Sequence, residues 1–162
     1  MLLSLKQKVY CLLSVVIIIA LDQWTKALAT AHINYGELID ILPVFGLTLL
    51  HNTGAAFSFL SDAGGWQRWF FTVVSIVVSI VLMVWFFRLK KDEMLLAAAL
   101  SLILAGAIGN LWDRVLLGYV VDFISVHYQD NFFPAFNIAD SAITIGAGLM
   151  ILDMILNPEK HK

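Results

Sequence analysis

The sequence predicts an all-α integral membrane protein with four transmembrane helices, a small β-element and an interfacial segment lying outside the bilayer. Three observations predict it. First, 60% of the residues are hydrophobic and mean hydropathy is +0.87, against the about 45–50% apolar content usual in soluble domains. Second, four apolar stretches are long enough to cross a bilayer, which takes roughly 20 residues of helix. Third, the basic residues cluster at alternate ends of those stretches, as the positive-inside rule requires.

The first span is expected at about Val9–Ala29. Lys6 and Lys8, the apolar run and Ala27-Leu28-Ala29 imitate a secretory leader with a cleavage site. The apolar stretch is long for such a leader, however, and Asp22 and Lys26 interrupt the part that should precede cleavage. An uncleaved first span follows. The connection at about Thr30–Arg68 contains Phe45–His51 and Ala55–Leu60, both rich in strand formers and separated by Asn52-Thr53-Gly54. This reads as a hairpin at the membrane surface, with Pro43 before it.

The second span is expected at about Trp69–Phe87 and the third at about Met94–Leu111, joined by a short link holding Arg88, Lys90, Lys91, Asp92 and Glu93. The next connection, about Trp112–Asn137, includes Gly118–Gln129, whose mixture of aromatic, apolar and polar residues suits an interfacial segment. The fourth span is expected at about Ile138–Leu156, with Lys160 and Lys162 after it. Lys26, Arg68 and Arg114 are the basic residues left for the other side. Both termini are therefore expected in the cytoplasm, with the two long connections facing outward.

Several residues receive plain readings. Trp66, Trp69 and Trp112 fall near the outer boundaries, where indole rings favour the headgroup zone, although core packing would serve equally. Gly106, Gly109, Gly146 and Gly148 are expected to allow close helix packing. Asp153, near the cytoplasmic end of span four, is expected to be solvated or snorkelling. Cys11 is read as a small buried apolar residue. His32, His51, His127 and His161 lack a ligand spacing, so no metal or cofactor is called for. The net charge of -2 offers no basic field for nucleic acid. No linker or repeat divides the chain, and a single unit is expected.

The chemistry gathers at the outer ends of the spans. Asp22 and Lys26 are four apart and share a helix face, which fits a buried ion pair anchoring span one. Asn110 and Arg114 are also four apart, with Asp113 alongside. Arg114 could hold a carboxylate or a lipid phosphate through its planar fork, or snorkel to the headgroups. Asn137 and Asp140 open span four as a helix cap with an acid in its first turn, and capping alone could explain both. Asp122 has no such excuse, because Val120, Val121, Phe123 and Ile124 around it are apolar. If both long connections face outward, Asp122 and Asp140 reach the same membrane boundary. Two carboxyls in different environments are what acid/base chemistry requires.

These residues occur in five ordered blocks: Asp22-Gln23-x-x-Lys26, Asn52-Thr53-Gly54-Ala55-Ala56-Phe57-Ser58, Gly109-Asn110-x-x-Asp113-Arg114, Val121-Asp122-Phe123 and Phe136-Asn137-x-Ala139-Asp140-Ser141. With four spans in this orientation, the chain resembles the bacterial lipoprotein signal peptidases, the type II signal peptidases, which are aspartic membrane proteases. The resemblance implies four transmembrane helices with an outward β-cradle and a periplasmic segment in the inner membrane. Asp122 and Asp140 would be the catalytic pair, with Asn52, Gly54, Asn110, Arg114 and Asn137 lining or bracing the site. Asp22, Lys26 and Asp113 would support it. The implied substrate is a prolipoprotein carrying diacylglycerol on its lipobox cysteine, cleaved on the amino side of that cysteine without a cofactor. Membrane lipids are implied as surroundings, and globomycin-type cyclic peptides as inhibitors.

Two rivals stand beside this reading. A small proton- or ion-coupled membrane carrier would use Asp22, Lys26, Asp122 and Asp140 as a relay, but it predicts acids spread through the membrane depth and paired broken helices. An intramembrane aspartic protease acting on unlipidated helices would carry Gly-x-Gly-Asp. Here Ile138-Ala139 precedes Asp140, and Val120-Val121 precedes Asp122.

Overall fold

A computed structural model describes residues 1–54, 65–129 and 131–160. It contains four long helices, α1 (Leu5–His32), α2 (Trp66–Arg88), α3 (Met94–Leu116) and α4 (Ile138–Leu156), all long and apolar enough to cross a membrane. Each covers its expected span, and α1, α2 and α3 run past the expected ends. The extension has a local cause in α1. Ser4 Oγ accepts from the Gln7 N–H and Gln7 Oε1 accepts from the Ser4 N–H, a reciprocal cap that starts the helix before the apolar run. At 28 residues the helix is about 42 Å long at 1.5 Å per residue, more than the roughly 30 Å of a bilayer's hydrocarbon core. Asp22 and Lys26 lie in its C-terminal half.

Helix α3 is the centre of the bundle. Its span is 61% buried, against 11% for α2, and it packs against the other three helices. Small residues make this possible. A Cβ at Gly106 would run into the Ala139 carbonyl of α4, and one at Gly146 would sit 2.8 Å from the Ala99 carbonyl of α3. Gly148 departs from expectation, since a Cβ there would meet open space. Among the described residues α2 and α4 make no substantial contact, so a groove stays open between them. At one end of the bundle, Leu3 N–H donates to the Leu89 carbonyl at 2.9 Å, stitching the start of the chain to the α2–α3 link.

Asp153 is not solvated, contrary to its expected snorkelling. It is 1% exposed because it lies seven residues after Gly146, on the same buried face of α4, where its carboxyl accepts from Asn157 Nδ2 at 2.9 Å. Trp66, Trp69 and Trp112 are all exposed.

A four-stranded antiparallel sheet caps the other end, in the order β1 (Leu38–Leu42), β2 (Phe45–Asn52), β3 (Val120–Tyr128), β4 (Asn131–Phe132). This corrects one expectation and gives a second its structure. The hairpin partner of β2 is β1, with Pro43 inside the turn, whereas Ala55–Leu60 lies outside the described residues. The segment expected to be interfacial is mostly the strand β3, buried at Val120, Val121, Asp122 and Phe123. The sheet sits on the end of α1 through a cluster of Ala29, Ile33, Leu49, Val121 and Phe123. Burial of the larger of these, Ile33, Leu49, Val121 and Phe123, stabilises by about 1.5–3 kcal/mol each and holds β3 over the helix ends.

Candidate active site

Three backbone placements make the site. The register of β2 against β3 sets Leu50 opposite Asp122 and Asn52 opposite Val120, so Asn52 and Asp122 are diagonal neighbours. The chain then returns along β3, where Phe136 N–H donates to the Ile124 carbonyl at 3.1 Å and Ile124 N–H to the Phe136 carbonyl at 2.8 Å. That pairing delivers Asn137 and the start of α4 to Asp122. Finally, close α3–α4 packing at Gly106 brings Asn110 beside Asp140.

Asparagine amides connect the two acids. Asn137 Nδ2 donates to Asp122 Oδ1 at 2.8 Å, and Asn52 Nδ2 donates to Asp122 Oδ2 at 3.1 Å. Asn137 also caps α4: its Oδ1 accepts from the Asp140 N–H at 2.9 Å, and its own N–H donates to Asp140 Oδ2 at 3.3 Å. Asn110 Nδ2 donates to Asp140 Oδ1 at 2.7 Å. One residue therefore serves as helix cap and as bridge between the carboxyls, which joins the capping reading of Asn137 to the site reading.

Below these amides lies a buried ionic cluster. Lys26 Nζ contacts Asp22 Oδ2 at 2.8 Å and Asp113 Oδ2 at 2.9 Å, and donates to Asn110 Oδ1 at 3.0 Å. All three ammonium hydrogens are thereby used. Because lysine only donates, it fixes Asn110 with its oxygen toward Lys26 and its nitrogen toward Asp140. Asp22 further accepts from the Ala139 N–H at 2.9 Å, and Asp113 from the Val121 N–H at 3.1 Å. The cluster thus ties α1 and α3 to the residues just before each acid of the pair.

Arg114 does not snorkel. Its Nη2 donates to the Gly54 carbonyl at 3.1 Å, its Nη1 to the Asn110 carbonyl at 3.4 Å, and its guanidinium lies 5.7 Å from the Phe71 ring centroid. Gly54 N–H donates to Asn52 Oδ1 at 3.0 Å, which orients the Asn52 amide toward Asp122. The remaining residues of that motif, Ala55-Ala56-Phe57-Ser58, fall outside the described residues.

Asp122, Asp140, Asn52, Asn110 and Arg114 line a cavity of about 620 Å³ that continues down the α2–α4 groove past Val74, Val78, Ile103 and Ile143. The cavity is therefore polar at the sheet end and apolar toward the bilayer core. Asp122 is only 3% exposed. Burial pushes its carboxyl up to about 7, with the Asp140 charge adding to the push against the Asn52 and Asn137 donors and the Lys26 charge. A carboxyl that holds its proton near neutrality, beside a second carboxyl and an apolar groove, suits proton exchange on an amphiphilic substrate.

Two contributors escape sequence reasoning. Gln23 Nε2 donates to Asp113 Oδ1 at 2.8 Å, and to Asp22 Oδ2 and the Gly109 carbonyl at 3.2 Å. Its place beside Asp22 in the first motif is the available signal. Arg68 reaches the end of α3 from α2, and its place among the few basic residues expected on the outer side is the hint.

Residues 14–156 match the family described as Signal peptidase (SPase) II. A lipoprotein signal peptidase of Acinetobacter baumannii is 59% identical over 138 residues, covering 85% of this chain and 78% of the relative. One of Ectopseudomonas mendocina is 56% identical over 155 residues, covering 94% and 91%. A bacterial membrane enzyme solved by the in meso method at 2.3 Å superposes with a TM-score of 0.80 at 36% identity, covering 94% of this chain and 92% of that one.

Proposed function

The chain belongs to the signal peptidase II family, and from that membership we propose that it removes signal peptides from bacterial prolipoproteins, using Asp122 and Asp140 as a water-activating pair. The observation that carries the proposal is the joining of both acids through Asn137 at the polar end of a groove open toward lipid. A substrate anchored by diacylglycerol on its lipobox cysteine matches those two environments. The acyl chains lie along the apolar α2–α4 groove while the peptide crosses the acids.

In the reaction one carboxylate takes a proton from water, whose oxygen attacks the carbonyl carbon before the cysteine. The other carboxyl, protonated, gives its proton to the carbonyl oxygen, forming a tetrahedral diol. The first acid then returns its proton to the amide nitrogen as the C–N bond breaks, and the second recovers a proton from a diol hydroxyl. The products are a signal peptide ending in a carboxyl group and a lipoprotein with a free cysteine amine. The pair titrates as a unit, so the resting proton belongs to both. Asn52, Asn110 and Asn137 hold the carboxyls, and the Lys26 cluster with Asp22 and Asp113 holds Asn110. Arg114 holds Gly54. Globomycin-type cyclic peptides inhibit by occupying the same groove. The sheet and site face outward, with both termini in the cytoplasm, as the basic residues of the inner link and the chain ends favour.

The test is incubation with a purified diacylglyceryl prolipoprotein and mass spectrometry of the products. A new amino terminus at the lipidated cysteine supports the proposal. A different cleavage point assigns a different specificity. Intact substrate after incubation with folded protein favours the carrier reading instead.

A further inference from the structure

Arg68 stands outside the polar network described above, yet it links α2 to the end of α3. Its Nε donates to the Arg114 carbonyl at 3.0 Å and its Nη2 to the Val115 carbonyl at 2.8 Å. The N–H groups of Leu117 and Gly118 both turn back to the Asp113 carbonyl, at 2.7 and 3.2 Å. The following two carbonyls are thus taken up by an arginine from another helix. Carbonyls at a helix end need donors and favour a cation. Gly118 makes room for the fork. Its φ is +89°, and a Cβ there would lie 3.1 Å from Arg68 Nη1.

Three residues along α2, on the same face, Phe71 lies under the Arg114 guanidinium. Helix α2 therefore grips Arg114 at both ends, at its carbonyl through Arg68 and at its side chain through Phe71. From Arg114 the contacts continue to the Gly54 carbonyl, from the Gly54 N–H to Asn52 Oδ1, and from Asn52 Nδ2 to Asp122 Oδ2. We propose that Arg68 is a positioning residue which, by clamping Arg114, holds the Asn52–Gly54 turn in place and keeps the Asn52 amide donating to Asp122.

The clamp needs a fork, since two carbonyls on successive residues are engaged by two nitrogens of one planar group. A lysine would satisfy one carbonyl and keep the charge. Loss of the clamp frees Arg114, loosens the turn and removes a donor that favours ionised Asp122. The charged groups around Asp122 are Asp140 from α4, Lys26 from α1 and Arg114 from α3, and none is altered in charge by a change at Arg68.

The test compares wild type, Arg68→Met and Arg68→Lys by two readouts. Hydrogen exchange at the Gly54 amide needs no substrate. Arg68→Met should speed it by about tenfold, the protection given by one hydrogen bond, with Arg68→Lys in between. The pH profile of prolipoprotein cleavage rests on the peptidase reading. Arg68→Met should lower kcat/KM by about tenfold and move the alkaline fall of activity to higher pH. Wild-type exchange and a wild-type profile in folded Arg68→Met would overturn the proposal. If Arg68→Met does not fold, the same wild-type results in Arg68→Lys overturn it. Absence of cleavage by wild type would count against the peptidase reading alone, and the exchange readout would still decide the role of Arg68.

Discussion

Replacing Lys26 with methionine tests the ionic cluster that underlies the site. The substitution keeps the length of the apolar stem and removes the ammonium. Asp22 and Asp113, whose side chains are 1% and 2% exposed, then face each other across a buried space with no cation between them. Breaking a buried pair by removing one partner costs about 3–5 kcal/mol. The low end applies here, because each carboxylate keeps two other donors: the Ala139 N–H and Gln23 for Asp22, and the Val121 N–H and Gln23 for Asp113. A cost of about 3 kcal/mol, at roughly 2–4 °C per kcal/mol for a chain of this size, predicts a fall of about 6–12 °C in apparent Tm in detergent. Adding Asp113→Asn removes one of the opposed charges and should recover part of that loss. The assay is a thermal melt of single and double variants under one detergent condition. A fall below about 2 °C for the single variant, or a double variant less stable than the single, would refute the cluster's structural role.

Three further outcomes follow from the same geometry. Asp122→Asn and Asp140→Asn should each abolish prolipoprotein cleavage while leaving the melt close to wild type, since asparagine keeps the shape but cannot exchange the proton; retained turnover in either would break the pair. Burial raises Asp122 from 3.8 to about 7, so the folded state prefers its neutral form. The stability this brings is fully present below the unfolded value and lost as pH rises through about 7. Tm should therefore decline from pH 5 to 8, less steeply in Asp122→Asn, and cleavage should fall as the shared proton leaves; a flat profile would contradict the assignment. Gly106→Ala forces a Cβ into the Ala139 carbonyl and should destabilise by about 1–3 kcal/mol, whereas Gly148→Ala, facing open space inside α4, should melt no lower than wild type and gain up to about 1 kcal/mol from helix propensity.

The spans were legible because each is a continuous apolar run, and α4 was legible to the residue because Asn137 and Asp140 form a capping pair in local sequence. The ion pair of Asp22 and Lys26 was legible for the same reason, as neighbours on one helix face. What escaped depends on distant contacts. The partners of β2 lie on both sides of it in space, one of them β3, roughly 70 positions away by register. Four successive buried residues in β3 show no alternation, so that strand resembles an interfacial stretch. Asp113 and Lys26 are separated by 87 positions, yet meet at 2.9 Å. The burial of Asp153 follows from the face of α4 that it shares with Gly146, not from its place near the helix end. At Asp122 the conflict between residue type and apolar surroundings is legible in the sequence, and the structure keeps it, with the residue 3% exposed.

The most direct measurement is cleavage of one prolipoprotein, with and without its diacylglyceryl group, by wild type and by Asp140→Asn in detergent. An Asp122–Asp140 pair acting on a diacylglyceryl substrate predicts cleavage of the lipidated form alone, by wild type alone. Equal cleavage of both forms by wild type, or cleavage by Asp140→Asn, would contradict it.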